Sequence, residues 1–157
     1  MGQPTLDDLA REEADLRFAG FDADAAWRLG VWLHDRAARD RLAVAIEISV
    51  AGHVKFLSAL PGATPDNAEW MRRKRNTVLR FQRSSLAMRL VCEAKGTTLA
   101  DRYGLTPADY VASGGGVPIN LHGTGCIGAV VVSGLPDVED HRFVVDAMRW
   151  MIEGEAG

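Results

Sequence analysis

Residues 42–60 decide the fold class: Leu42-Ala43-Val44-Ala45-Ile46-Glu47-Ile48-Ser49-Val50, then Ala51-Gly52, then His53-Val54-Lys55-Phe56-Leu57-Ser58-Ala59-Leu60. Leu42, Val44, Ile46, Ile48 and Val50 point one way, while Ala43, Ala45, Glu47 and Ser49 point the other. That period of two belongs to a β-strand. Ala51-Gly52 is a tight-turn signal, and His53 to Leu60 reads as the returning strand. A strand that comes straight back through so short a turn pairs antiparallel.

Further along the chain, a second hairpin follows Gly114-Gly115-Gly116: Val117 to Leu121, a turn at His122-Gly123-Thr124-Gly125, then Cys126 to Ser133. Helices flank both hairpins. Leu6 to Leu16 reads as a short, charged, loosely packed helix. Asp22 caps the next, with Phe21 and Ala26 placed for a hydrophobic staple and Ala25, Leu29, Trp32, Leu33 and Ala37 at helical spacing. After the turn-rich loop Pro61 to Pro65, Asp66 or Asn67 is placed to cap a helix running towards Phe81. Ser84-Ser85 opens another, ending near Gly96, and residues 97–113 read as irregular or short helix. The last helix starts at Pro136, with Asp137, Glu139 and Asp140 in its positive N-terminal turn.

This order predicts an α+β domain, an antiparallel sheet with helices packed on its faces. Four strands are visible, and a fifth is expected near Leu16–Gly20 or Leu99–Tyr103. A chain of 157 residues suits one core. Residues 1–20 read as an N-terminal helical extension and 21–157 as a single domain.

With 47% apolar and 25% charged residues, the composition is that of an ordinary globular protein. A net charge of −3 gives no reason to expect a nucleic-acid or membrane-surface partner. No apolar run approaches the roughly 20 residues of a membrane span, and the acidic start has no signal-peptide core. A cytoplasmic location is expected, with Cys92 and Cys126 as free thiols, although a disulfide is possible on paper.

Three groups of residues are candidates for chemistry. On a helix, Arg73, Asn76, Arg80 and Arg83 share one stripe, and Trp70, Val78 and Phe81 another. Guanidiniums with an amide suit carboxylates or phosphates, but the same stripe is equally a solvated face paired with the chain's own acids, or a subunit contact. Gly114, Gly115 and Gly116 let backbone amides converge on an anion, or let another chain approach closely. They lead into a strand with no Gly-Lys-Ser/Thr, so they form neither a phosphate loop nor a dinucleotide fingerprint. His141, which shares a helical face with Val145, Met148 and Ile152, suits a general base, a metal or haem ligand, or a hydrogen-bonded structural group. No metal site is expected, because His122 and Cys126 flank a tight turn without a companion pair. Ser84-Ser85 lacks the glycines of a serine-hydrolase elbow.

Three stretches together resemble the haem-degrading-domain superfamily, the GlcG/HbpS-like proteins, and within it a cytosolic branch of bacteria and fungi. They are Leu60-Pro61-Gly62 through Asp66-Asn67, Trp70 and Arg73-Lys74-Arg75-Asn76 to Phe81; then Gly114-Gly115-Gly116-Val117-Pro118-Ile119; then Val132-Ser133-Gly134-Leu135-Pro136 with Glu139-Asp140-His141. The resemblance implies a profilin-like sheet of about five strands and a homo-oligomer, a dimer or an assembly of dimers. It also implies haem as a candidate ligand or substrate. Asp66, Asn67, Trp70, Arg73, Lys74, Arg80, Gly115, Pro118, Asp140 and His141 stand where the family motifs have them. Ser113 and Val117 stand where the family pattern has a histidine and an aromatic.

The leading expectation is an oligomeric domain that binds a small anionic molecule. Its ligand-binding residues are Arg73, Arg80, Asn76, Gly115, Gly116 and Pro118, and Asp140 and His141 are its catalytic candidates. Haem is the named candidate, since propionates suit arginines and iron suits His141. The alternatives are a non-enzymatic oligomeric adaptor and an enzyme acting on a small carboxylate, with His141 as acid–base.

Overall fold

Ala51 and Gly52 both take positive φ, 51° and 78°, the backbone that lets a two-residue turn follow the twist of its flanking strands. The strands they join are β2 (Ala45–Val50) and β3 (His53–Ala59), paired antiparallel. In this computed structural model, residues 2–156 are described. The other elements are α1 (Leu6–Asp15), β1 (Arg17–Phe18), α2 (Ala23–Arg39), α3 (Pro65–Phe81), α4 (Ser85–Lys95), α5 (Leu99–Tyr103), β4 (Gly116–Leu121), β5 (Gly125–Ser133) and α6 (Asp137–Ala156). The α+β expectation holds.

The five strands run in the order β1-β4-β5-β2-β3. Every pairing is antiparallel except one, because β1 lies parallel to β4 with Arg17 beside Asn120 and Phe18 beside Leu121. Of the two positions offered for the fifth strand, Leu16–Gly20 holds it and Leu99–Tyr103 does not. Thr98 accepts from the Asp101 backbone at 3.1 Å and Gly104 ends the turn in the left-handed region, so that stretch closes as helix α5.

Helices cover both faces. Val44, Ile46, Ile48, Val117, Ile119, Val130 and Val132 pack against α2 and α6 in the main core. Ala45, Ala129 and Val131 face Met71 and Val78 of α3. β2 is therefore buried on both sides, and on the polar side of its alternation Glu47 accepts from Arg75 at 2.6 Å, while the buried Ser49 hydroxyl has no partner.

Two local expectations are corrected. The N-cap of α3 is Thr64, whose N–H donates to the Asn67 side chain at 2.9 Å, so Asp66 and Asn67 lie in the first turn. Helix α1 is docked rather than loose, since Leu9 is buried against Leu86 and Ala87. The remaining caps agree: Asp22 accepts from Ala25 at 2.8 Å, Ser84 caps α4, and Gly96 ends it in the left-handed region. Both cysteines are free thiols.

Candidate functional site

The inward stripe of α3 is Met71, Lys74, Thr77 and Val78, the positions at helical spacing that meet the sheet. One of them is a lysine. Lys74 is only 2% exposed, and its ammonium donates to the Val132 carbonyl at 3.1 Å and to Asp140 at 3.0 Å. Asp140, 1% exposed, is held from its other side by the Leu135 N–H at 2.9 Å. Burial pushes the Asp140 carboxyl above its ordinary range, and the Lys74 charge pulls it back towards the ionised form.

The triple glycine lets this pair form. A Cβ on Gly115 would strike the Val132 carbonyl and lie 2.7 Å from the Lys74 ammonium, at a backbone φ of 131°. A Cβ on Gly114 would strike the Asp137 carbonyl, and one on Gly116 would lie 2.8 Å from Val78. The glycines thus let segments of the same chain approach closely. The Gly114 N–H donates to Asp137 at 3.0 Å, which in turn lies 2.8 Å from Arg89 Nε, an ion pair by distance whose N–H is not aimed at the oxygen.

Beside the pair lies a cavity of about 230 Å³. Its walls include Asn67, Trp70, Lys74, Ser113, Ser133 and Asp140. Each of its carboxylates accepts at least one bond: Asp140 on both oxygens, from Lys74 and Leu135, Asp137 on Oδ2 from Gly114, and Asp66 on Oδ2 from the Trp70 indole at 3.2 Å. Its donors are not exhausted. An ammonium carries three N–H bonds and Lys74 uses two; an amide carries two and Asn67 uses one, on Ser133 Oγ at 3.2 Å. The Ser133 hydroxyl accepts that bond and keeps its own proton to give. Chemically, the cavity can take a small group rich in acceptors.

The residues singled out in the sequence are not all brought together here. Arg73 does not line the cavity, but its guanidinium lies 4.4 Å from the ring centroid of Trp70, which does. Asn76 donates to the Asp109 carbonyl at 2.8 Å, away from the cavity. Arg80 is exposed on the outer side of α3. Gly115 and Gly116 press on the lysine as backbone, while Pro118 is buried within β4, next to the part that β1 covers. Asp140 lines the cavity, but its neighbour His141 turns away to α1, where Nε2 lies 2.6 Å from Glu12 and Nδ1 is buried without a partner. Lys74 is the central residue that the arginine stripe concealed. The signal was present, since Met71 and Val78 bracket it at steps of three and four.

The model of the haem-degrading protein HbpS-like family matches residues 21–149. The chain belongs to that family. A UPF0303 protein of Rhizobium rhizogenes is 56% identical over 143 residues, covering 91% of this chain and 88% of its own. One from Serratia proteamaculans is 49% identical over 143 residues, covering 91% and 89%. Among solved structures, the Ybr137w protein superposes with a TM-score of 0.88 at 27% identity, over 97% of this chain and 90% of that one. HbpS, with a TM-score of 0.66 at 20% identity over 87% and 92%, shares the fold. So does PduOC, solved as a complex with haem, with 0.71 at 20% identity over 83% and 94%. Among the described residues, no helix is long and apolar enough to cross a membrane.

Proposed function

We propose that this member of the HbpS-like family is a cytoplasmic homo-oligomer whose protomers bind a small carboxylate-bearing molecule in the Lys74–Asp140 cavity. One observation supports the reading: the side chains lining the cavity retain unused donors on Lys74, Asn67 and Ser133, while both Asp140 oxygens already accept hydrogen bonds. A ligand carboxylate supplies the missing acceptors, and the ammonium makes those hydrogen bonds charge-assisted. Trp70 offers an aromatic wall for the rest of the molecule, and Arg73 raises the positive potential beside it.

Haem is the ligand that the family's description suggests. The residues present do not fit it as an enclosed group. The cavity is about 230 Å³, below the roughly 300–1,000 Å³ of sites that engulf drug-sized ligands. His141, the residue expected to ligate iron, is buried and engaged by Glu12.

Calorimetric titration with acetate, lactate, pyruvate and succinate tests the reading, with haemin followed by its Soret band as the comparison. Saturable heat from at least one carboxylate is expected, and a haemin titration unchanged by His141→Ala. A Soret shift that His141→Ala abolishes, with no carboxylate heat, contradicts it.

A further inference from the structure

The outer stripe of α2 reads Asp24, Arg28, Val31, Asp35, Arg39, at steps of four, three, four and four. Its charges therefore run negative, positive, neutral, negative, positive. Laid antiparallel on a copy of itself, in the register that sets Arg28 against Asp35, the stripe also sets Asp24 against Arg39, and a twofold axis repeats both pairs. Laid parallel, it opposes like with like. Among the described residues Asp24, Arg28 and Asp35 have no ion-pair partner, and Arg39 has only its exposed neighbour Asp40 at 3.3 Å.

The same stripe carries a ridge between two grooves. Trp27 is 62% exposed, held edge-on by Phe56 at 5.7 Å, and Val31 stands one turn beyond it. A groove of about 330 Å³ runs between this ridge and Trp150. Another, of about 430 Å³, runs between it and Leu57. Trp27, Leu57 and Trp150 are large, apolar and exposed, at 62%, 65% and 44%, and together they form a patch of the kind that marks an interface. A ridge flanked by grooves is what helix-on-helix packing needs from each partner.

We infer that the α2 stripe is the twofold contact of the homo-oligomer, seated antiparallel on α2 of a second copy with Arg28 against Asp35 and Asp24 against Arg39. This contact rests on the homo-oligomer reading above. Each Trp27–Val31 ridge enters a groove of the other copy, and the charges at both ends fix the register.

Charge reversal tests it, followed by sedimentation velocity of the full chain at low salt, where surface charges are least screened. Arg28→Asp and Asp35→Arg each place like charges at two equivalent contacts and are expected to weaken association by about tenfold or more. The double variant Arg28→Asp/Asp35→Arg restores opposite pairs and wild-type association. An equimolar mixture of the two single variants also reassociates, because each supplies the charge the other lacks. That recovery shows that both singles are folded; should either lose its helical circular dichroism, Arg28→Glu with Asp35→Lys carries the same test. Single variants that associate like wild type place the contact elsewhere and overturn the inference while leaving the oligomer intact. A mixture that stays dissociated overturns the antiparallel register. A monomeric wild type removes the oligomer reading itself, and this contact with it.

Discussion

The Lys74 ammonium lies 3.0 Å from Asp140, with both side chains almost wholly withdrawn from water. Removing one member of such a pair strands the other as an uncompensated charge, at a cost of about 3–5 kcal/mol, while replacing both by neutral groups is far milder. Lys74→Met alone is therefore expected to lower the urea-unfolding free energy by that amount. Lys74→Met/Asp140→Asn should regain most of it, since the amide oxygen of the introduced asparagine still accepts from the Leu135 N–H. Equal losses in single and double variants would show that the pair is not coupled in this way.

Gly115 is the backbone counterpart of that pair. With φ at 131° and the Val132 carbonyl and Lys74 ammonium where a Cβ would sit, it has no room for a methyl group. Gly115→Ala is expected to cost more than Lys74→Met or to prevent soluble expression. Gly123→Ala, at a turn with nothing close to its α-carbon, shares the positive φ without the crowding and should cost clearly less. Thermal unfolding of both variants checks the order.

Glu13 sits where α1 meets the body, accepting from the Ser84 N–H at 2.9 Å, with Glu12, His141 and Arg83 nearby. Burial raises its carboxyl above the ordinary value of 4.5. A folded-state carboxyl that holds its proton more tightly than the unfolded one makes stability fall as pH rises from that value through the folded pKa. Glu13→Gln keeps the acceptor for Ser84 and removes the buried charge. Its melting temperature should exceed the wild type's at pH 7, with the gain fading as pH falls through the raised folded pKa and gone below 4.5. A variant less stable than wild type at pH 7 would contradict this.

Arg80 is exposed and outside the cavity. Arg80→Ala is expected to leave both carboxylate binding and stability unchanged, the latter within about 0.5 kcal/mol. Arg73→Ala should weaken binding several-fold through loss of the charge stacked on Trp70. Calorimetry on the two variants separates them.

The sheet was legible because its signals are local: the period of two before Ala51-Gly52, the second turn at His122–Gly125, and the caps at Asp22, Ser84 and Gly96. The parallel β1–β4 pair was not, since two residues carry no periodicity and their partner lies about a hundred positions away. The site was half legible. The glycines, Asp140 and Trp70 all stand at or beside the cavity. The arginine stripe lies on a face of α3 away from the cavity, and exposed guanidiniums and a buried ammonium look alike in a charge run. Only the apolar residues three before and four after Lys74 reveal which cation faces inward. The partner of His141 was out of reach too: Glu12 lies 129 residues away on a helix that sequence alone left undocked.

On the proposed function, the unused donors around Lys74 hold a ligand carboxylate. Amide chemical shifts of the ¹⁵N-labelled protein, recorded while acetate, lactate, pyruvate or succinate is added, report on it most directly. At least one of these should produce saturable shifts centred on Asn67, Ser113, Gly114 and Ser133, and the same addition should leave the folded Lys74→Met/Asp140→Asn variant unmoved. Shifts that persist in that variant, or a wild-type spectrum that no carboxylate perturbs at these residues, would rule out carboxylate binding by these donors.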